Sequence, residues 1–237
     1  NARLYEVERE HVAELVEGEL RKSQFLAAVS HDLRTPLTSL IGCTKMLQRK
    51  GLKEETRIEL AQMVDRQSQR LNRMVDDLLT AARLEAETAP PLDEVDAGAL
   101  VQELANEYRV ADWDVRAAGV QSMPVMARTD GLRRIVANLV DNALTHGAAP
   151  VVLTVTPAGP GRVDIAVRDH GSGIPAADRE RVWERFTRLD LNRRLPGVGL
   201  GLSIVQGLVA GLGGTVGIED PPDGGPGVVV RVTVQAA

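Results

Sequence analysis

The feature that most restricts this chain is a change of character around Pro90-Pro91. Up to about Ala86 the sequence is rich in helix formers, with almost no glycine and one internal proline. After Asp96 glycine becomes frequent and alternating Val-rich segments appear. Paired prolines forbid helix continuation and favour an extended connection, so residues 87–96 read as a linker between two unlike modules. A length of 237 residues suits two modest domains.

In the first module Leu26, Val29, Leu33, Leu37, Leu40, Thr44 and Leu47 follow a three-and-four spacing. Val64, Ser68, Leu71, Val75, Leu78 and Ala82 repeat it. Both are coiled-coil-like seams. Gly51 lies between them, within Lys50-Gly-Leu-Lys-Glu-Glu55, and predicts a helical hairpin that turns there. A lone hairpin buries little, so two copies are expected to form an antiparallel four-helix bundle, making the protein a homodimer. Residues 4–20 have a helical composition, but Glu8 and Glu19 interrupt their seam, so residues 1–22 read as a signalling coiled-coil entry, or a frayed end, ahead of a module at 23–86.

The second module, 97–237, carries strand patterns at 151–156, 162–168 and 228–234 and helical patterns at 97–110, 130–146, 176–184 and 200–212. This predicts a mixed α/β layer of three or more strands with helices on one face, without the strict βαβ alternation of a dinucleotide fold. Aromatic residues make up 3% of the chain, so Leu, Val, Ile and Ala must build both cores.

A net charge of -5 supplies no electrostatic reason to expect nucleic acid or an acidic membrane surface as a partner. No apolar run approaches the ~18 residues of a membrane span, and no signal-peptide pattern opens the chain. Beginning at Asn1 inside charged, helix-favouring sequence, the chain reads as a cytoplasmic piece of something longer, with room for a sensor or membrane-anchored part ahead of it. The single cysteine, Cys43, has no disulfide partner or metal-ligand spacing and reads as a small helix side chain in a reducing compartment.

At ~100° per residue, the seam residues from Leu26 to Leu47 cluster around Leu33, whereas His31 falls on the opposite side and should face solvent. Thr35 shares that side, and Asp32 stands on its flank. Pro36, inside the same helix, removes a backbone donor and orphans the carbonyl of Asp32, which specifies a local bend. A neutral imidazole offers a lone pair on one nitrogen, and a carboxylate bonded to the other fixes the tautomer and sharpens nucleophilicity. An isolated histidine in such a helix is more often incidental. Here, however, Ser30-His31-Asp32-Leu33-Arg34-Thr35-Pro36-Leu37 resembles the phosphoacceptor box of the sensor histidine kinases of two-component systems. The resemblance implies that His31 is phosphorylated by ATP and passes the phosphoryl group to an aspartate of a response regulator. It also implies that Asp32 is the acid-base partner and that Thr35 orients water for dephosphorylating the regulator.

Asn138 and Asn142 lie one helical turn apart on one face, and amide oxygens are hard ligands suited to Mg²⁺ carrying nucleotide phosphates. Asn138-Leu-Val-Asp-Asn-Ala143 looks like the family's asparagine box. Where many relatives place a lysine and an aromatic residue, this chain has Thr145 and His146; His146 can still pack near a nucleotide. Asp169 ends the period-two row Val163, Ile165 and Val167, so a carboxylate terminates a buried apolar face and needs a partner. The exocyclic amine of adenine would satisfy it, and the carbonyl of guanine would not. Gly171 and Gly173 would let the backbone approach the base.

Asp169-His-Gly-Ser-Gly-Ile174 looks like the first glycine box of the GHKL ATPases, the superfamily of histidine kinases and gyrase. Gly197-Val-Gly199-Leu200-Gly201-Leu202 precedes a helical run, where amide donors and the positive helix end can meet phosphate oxygens. Between them, Arg188, Arg193 and Arg194 stand in a segment that looks like the family's ATP lid. The resemblance therefore implies a dimeric helical hairpin module followed by an α+β sandwich of the Bergerat (GHKL) type, using ATP and Mg²⁺. Two other readings of the pattern are a phosphatase-biased or pseudokinase scaffold of the same family and a non-kinase GHKL ATPase.

Overall fold

The computed structural model describes residues 29–30, 33–49, 51–85, 91–119, 121–184, 187 and 199–237, which form two compact units.

In the first unit, helix α1 spans residues 33–47, with 29–30 also helical, and α2 spans Glu54–Glu85. Gly51, at φ +83, makes the turn between them as the sequence predicts. Glu54 and Glu55 then place negative charge in the first turn of α2, where the helix dipole favours it. Cys43 is buried, and its thiol donates to Met63 Sδ at 3.3 Å, pinning α1 to α2.

The buried lines of the hairpin are rotated from the predicted seams. Val29, Pro36 and Cys43 are buried at intervals of seven, opposite Leu60 and Met74, while Leu33, Leu40, Leu47, Val64, Leu71 and Leu78 are half-buried. Leu37 is 51% exposed, Ile41 48% and Val75 46%. The apolar stripe is wider than one partner helix can cover, so the hairpin buries one flank and leaves the other open. The bend expected beside Pro36 concerns the carbonyl of Asp32, outside the described residues.

The second unit holds a five-stranded sheet in the order β2-β4-β5-β7-β6, with β2 parallel to β4 and every other pair antiparallel. Its strands are β2 (Val115–Ala117), β4 (Val151–Pro157), β5 (Arg162–Arg168), β6 (Thr215–Glu219) and β7 (Val229–Gln235). A separate antiparallel pair joins β1 (Asp93–Asp96) to β3 (Pro124–Ala127). Helices α3 (Ala97–Val110), α4 (Thr129–His146) and α5 (Gly201–Gly211) complete it.

Period two explains the layering. Leu153 and Val155 pair with Val167 and Ile165, which pair with Val230 and Val232, next to Ile218 and Val216. This face is covered by the apolar sides of the helices, among them Leu132, Ile135, Val136 and Leu139 of α4 and Ile204, Val205 and Leu208 of α5. The opposite face is polar: Arg231 bridges Asp164 at 3.0 Å and Glu219 at 2.9 Å, and Thr233 donates to Asp164 at 2.6 Å. The result is a helix-on-sheet sandwich.

Three of the seven strands, β4, β5 and β7, and all three long helices of this unit fall where the sequence places them. Residues 93–96, inside the expected linker, instead form β1, and Asp96 caps α3 by accepting from the Ala99 amide at 3.1 Å. The helix expected at 176–184 is two single 3-10 turns, Ala176–Asp178 and Arg181–Trp183; Val182 is the one buried residue in them, too little apolar surface to hold a longer helix. Among the described residues no helix is long and apolar enough to cross a membrane.

Candidate nucleotide-binding site

Strand β5 delivers Asp169 to the edge of the helix-covered core, where it is 6% exposed. Its amide donates to the Val228 carbonyl at 3.1 Å, and its Oδ1 accepts from the Gly171 amide at 2.8 Å. Burial pushes the carboxyl above its ordinary range; the amides of Gly171 and Val228 and the neighbouring His170 ring pull part of that back. His170 itself is held with Nδ1 2.7 Å from the Pro150 carbonyl oxygen, and its amide donates to Ala148 at 2.9 Å.

The turn after Asp169 is tightly walled. Gly173 adopts φ +82, and a Cβ on Gly171 would stand 2.6 Å from Gly147 Cα and 3.1 Å from Asp169 Oδ1. Ile174 follows half-buried, its carbonyl accepting from Arg179 Nε at 3.1 Å, while the Arg179 guanidinium also pairs with Asp220. The segment that would meet a base is thereby tied to the β6–β7 connection.

Helix α4 carries Asn138 and Asn142 one turn apart, both half-buried, with His146 exposed in its last turn. Tyr108 of α3 donates to Asp141 Oδ1 at 2.8 Å, bracing this stretch of α4. Among the described residues the buried Asn138 Nδ2 has no hydrogen-bond partner. A buried amide left open in this way is a place for a ligand to complete.

At the start of α5, Gly199 adopts φ +70 and Leu200 is buried, accepting from the Ile204 amide and the Ser203 hydroxyl, both at 2.9 Å. Among the described residues no side chain caps the helix, and a Cβ on Gly201 would meet nothing within 4 Å, which leaves the first-turn amides open to an anion on that side. Leu202 is half-buried one residue on. Among the described residues no group of three or more His, Cys, Asp or Glu could hold a metal, so a cation here would rely on amide oxygens and its own phosphate ligands.

Of the residues singled out by sequence, Thr35 is exposed on α1, as its helical position predicts. His31, Asp32, Arg188, Arg193, Arg194 and Gly197 lie outside the described residues. Sequence reasoning passed over Gly147 and Gly227, which also wall Asp169. Neither belongs to a recognised box; packing shows why Gly147 is glycine, and at Gly227 packing joins a φ of +104.

Two family models match the chain: the His Kinase A (phospho-acceptor) domain over residues 21–87, and the histidine kinase-, DNA gyrase B- and HSP90-like ATPase over residues 127–237. The chain belongs to the histidine kinase family. It comprises that family's helical module followed by its α/β ATPase module. The chain is 35% identical over 215 residues to the sensor protein IrlS of Burkholderia pseudomallei strain K96243, covering 88% of the chain and 46% of that protein. It is also 35% identical over 237 residues to the signal transduction histidine-protein kinase/phosphatase MprB of Mycobacterium sp. strain KMS, covering 94% and 45%. Among solved structures, full-length ShkA in complex with AMPPNP superposes with a TM-score of 0.63 at 30% identity, over 90% of this chain and 45% of that one. The chain therefore spans less than half the length of these relatives.

Proposed function

We propose that this chain is the catalytic core of a sensor histidine kinase that transfers the γ-phosphoryl group of ATP to His31 and then to an aspartate of a response regulator. The observation that carries the reading is the buried, glycine-walled Asp169 beside the end of α4, in the same chain as the His31 box. The AMPPNP complex of ShkA supports ATP as the nucleotide.

Asp169 accepts from the exocyclic amine of adenine, with Gly171, Gly173 and Ile174 bordering the base. Asn138 and Asn142 supply amide oxygens to Mg²⁺, which when bound neutralises phosphate charge. His146 lines the same helix end. Gly197, Gly199, Leu200, Gly201 and Leu202 lead phosphate oxygens to the start of α5, and Arg188, Arg193 and Arg194 steady the charge that spreads during transfer. At His31 a ring nitrogen lone pair forms the new bond to phosphorus as the bond to ADP breaks, and Asp32 holds the proton on the other nitrogen.

The open flank of the hairpin supports dimerisation. At ~100° per residue, Leu37 lies on one shoulder of the buried line of α1, with Ile41 further round on the same side. Val75 lies on the shoulder of α2 that antiparallel pairing turns to the same side. A second hairpin would cover both and complete a four-helix bundle. The segments divide as a signalling helix at 1–22, the phosphoacceptor hairpin at 23–86, a linker from 87 and the ATP-binding module beyond it. Similarity to longer sensor proteins supports a cytoplasmic core within a larger chain.

Calorimetric titration with Mg-ATP tests the nucleotide half of the proposal. Asp169→Ala removes a charge-assisted hydrogen bond and should weaken binding by about tenfold or more, with the domain still folded. Unchanged affinity would refute the assignment. Thr145 and His146 in place of the commoner pair, with the similarity to the kinase/phosphatase MprB, favour a second emphasis on regulator dephosphorylation. Autokinase and phosphatase rates measured side by side separate the two.

A further inference from the structure

Helix α4 meets Asp169 at a residue that belongs to no motif. Gly147 follows His146 with φ −92, a value that does not call for glycine. Its surroundings do. A Cβ there would stand 2.5 Å from Asp169 Cγ, 2.6 Å from Asp169 Cβ and 2.6 Å from the Ala143 carbonyl oxygen. That same carbonyl accepts the Gly147 amide at 3.0 Å, so the helix end cannot swing aside without giving up its last hydrogen bond.

Two further glycines enclose the same carboxylate. Gly171 lies against Gly147 so closely that its Cβ would reach within 2.6 Å of Gly147 Cα. Gly227, at φ +104, arrives from the β6–β7 connection, and a Cβ on it would come within 2.0 Å of the Asp169 carbonyl oxygen. Three separate chain segments thus press on one acidic residue at a buried edge, where an apolar side chain would be the simpler occupant. Gly171 and Gly227 hold its backbone and one oxygen. Gly147 is the one that bears on the side-chain carbons, Cβ and Cγ.

We propose that Gly147 is a positioning residue for base recognition: by lacking a side chain it lets the end of α4 close on Asp169 and fixes the direction in which the carboxylate meets the 6-amino group of adenine. The inference rests on the reading of Asp169 given above. A side chain at 147 must push the carboxylate out of line, and the loss falls on the interaction with that amino group. Phosphate binding, made at the start of α5, is left in place. A merely structural role would weaken every nucleotide alike.

The test uses the full chain and two nucleotides, ATP and purine riboside triphosphate, which has the same ring system without the 6-amino group. Binding is titrated for the wild type, Asp169→Ala and Gly147→Ala, with thermal melts to follow folding. The wild type should prefer ATP by about tenfold or more. Both substitutions should bring the ratio close to one, mainly by weakening ATP. If Asp169→Ala removes the preference and Gly147→Ala retains it, the role of Gly147 is overturned while that of Asp169 stands. If the wild type shows no preference, the Asp169 reading falls and this inference with it. Should Gly147→Ala fail to fold, adding Asp169→Gly removes the Asp169 atoms it strikes and leaves the Ala143 carbonyl in place; a restored cooperative melt supports the contact with Asp169, and continued unfolding assigns the glycine to the helix end alone and overturns its role toward Asp169.

Discussion

Leu37→Asp should dissociate the dimer while leaving each helical hairpin folded. Leu37 is 51% exposed in the single chain, so about half of its transfer energy remains to be gained in a partner interface. Full burial of a leucine is worth roughly 2 kcal/mol, which leaves about 1 kcal/mol per copy and about 2 kcal/mol for both copies of a twofold dimer. Placing a carboxylate at the same seam adds roughly 1–3 kcal/mol of desolvation per copy. The sum, about 4–8 kcal/mol, weakens association by on the order of a thousandfold or more. Val29, Pro36, Cys43, Leu60 and Met74, which close the hairpin internally, are untouched. Sedimentation equilibrium over a concentration series measures the dissociation constant, and far-ultraviolet circular dichroism reports whether the helices persist. Dimerisation as tight as wild type would refute the assignment of this flank to the dimer interface.

Other expectations follow from the α/β unit and the phosphoacceptor helix. Because burial raises the Asp169 pKa above 3.8, its proton is held more tightly in the folded domain. Stability without nucleotide should therefore decline as pH rises from about 3.8 through the raised value, while ATP affinity increases over the same window. Melts and titrations against pH, with Asp169→Asn flattening both trends, check the sign. Asp96 behaves oppositely: the Ser122 hydroxyl, then the amides of Ala99 and Met123, hold its pKa below 3.8, so its contribution is present above the ordinary carboxylate range and is lost as pH falls through the lowered value. Asp96→Ala should lower stability by about 1–2 kcal/mol in urea unfolding at neutral pH; a change below about 0.5 kcal/mol would deny its tie between β1, α3 and the Met123 strand entry. Thr35→Ala should abolish regulator dephosphorylation and spare autophosphorylation, and equal loss of both rates would remove Thr35 from the phosphatase step.

The parts of this fold legible in the sequence are those with a sustained period. β4, β5 and β7 each repeat buried residues every second position across seven residues, and α4 carries its apolar face through eighteen. The missed strands are short or interrupted. β2 has three residues, β3 opens on Pro124, β6 contains Gly217, and β1 buries only Val95 among acidic neighbours. Their pairing comes from tertiary partners that no local pattern announces. The hairpin seams were misplaced for a related reason: spacing identifies an apolar stripe but not which flank the intramolecular partner takes.

The candidate site divides in the same way. Asp169, Asn138 and Asn142 could be found because their chemistry conflicts with their position, a carboxylate ending an apolar row and two poor helix formers on a helix face. Gly147 and Gly227 could not. At each an atom from a distant segment would occupy the place of its Cβ, and Gly227 also adopts φ +104.

The central claim is that His31 receives the γ-phosphoryl group. Incubating the chain with Mg²⁺ and γ-labelled ATP, alone and as His31→Gln, tests it most directly. The wild type should carry a label that is lost in acid and stable in base, the behaviour of a phosphorus-nitrogen bond, and the variant should carry none. Label persisting on His31→Gln, or an acid-stable label on the wild type, would contradict it.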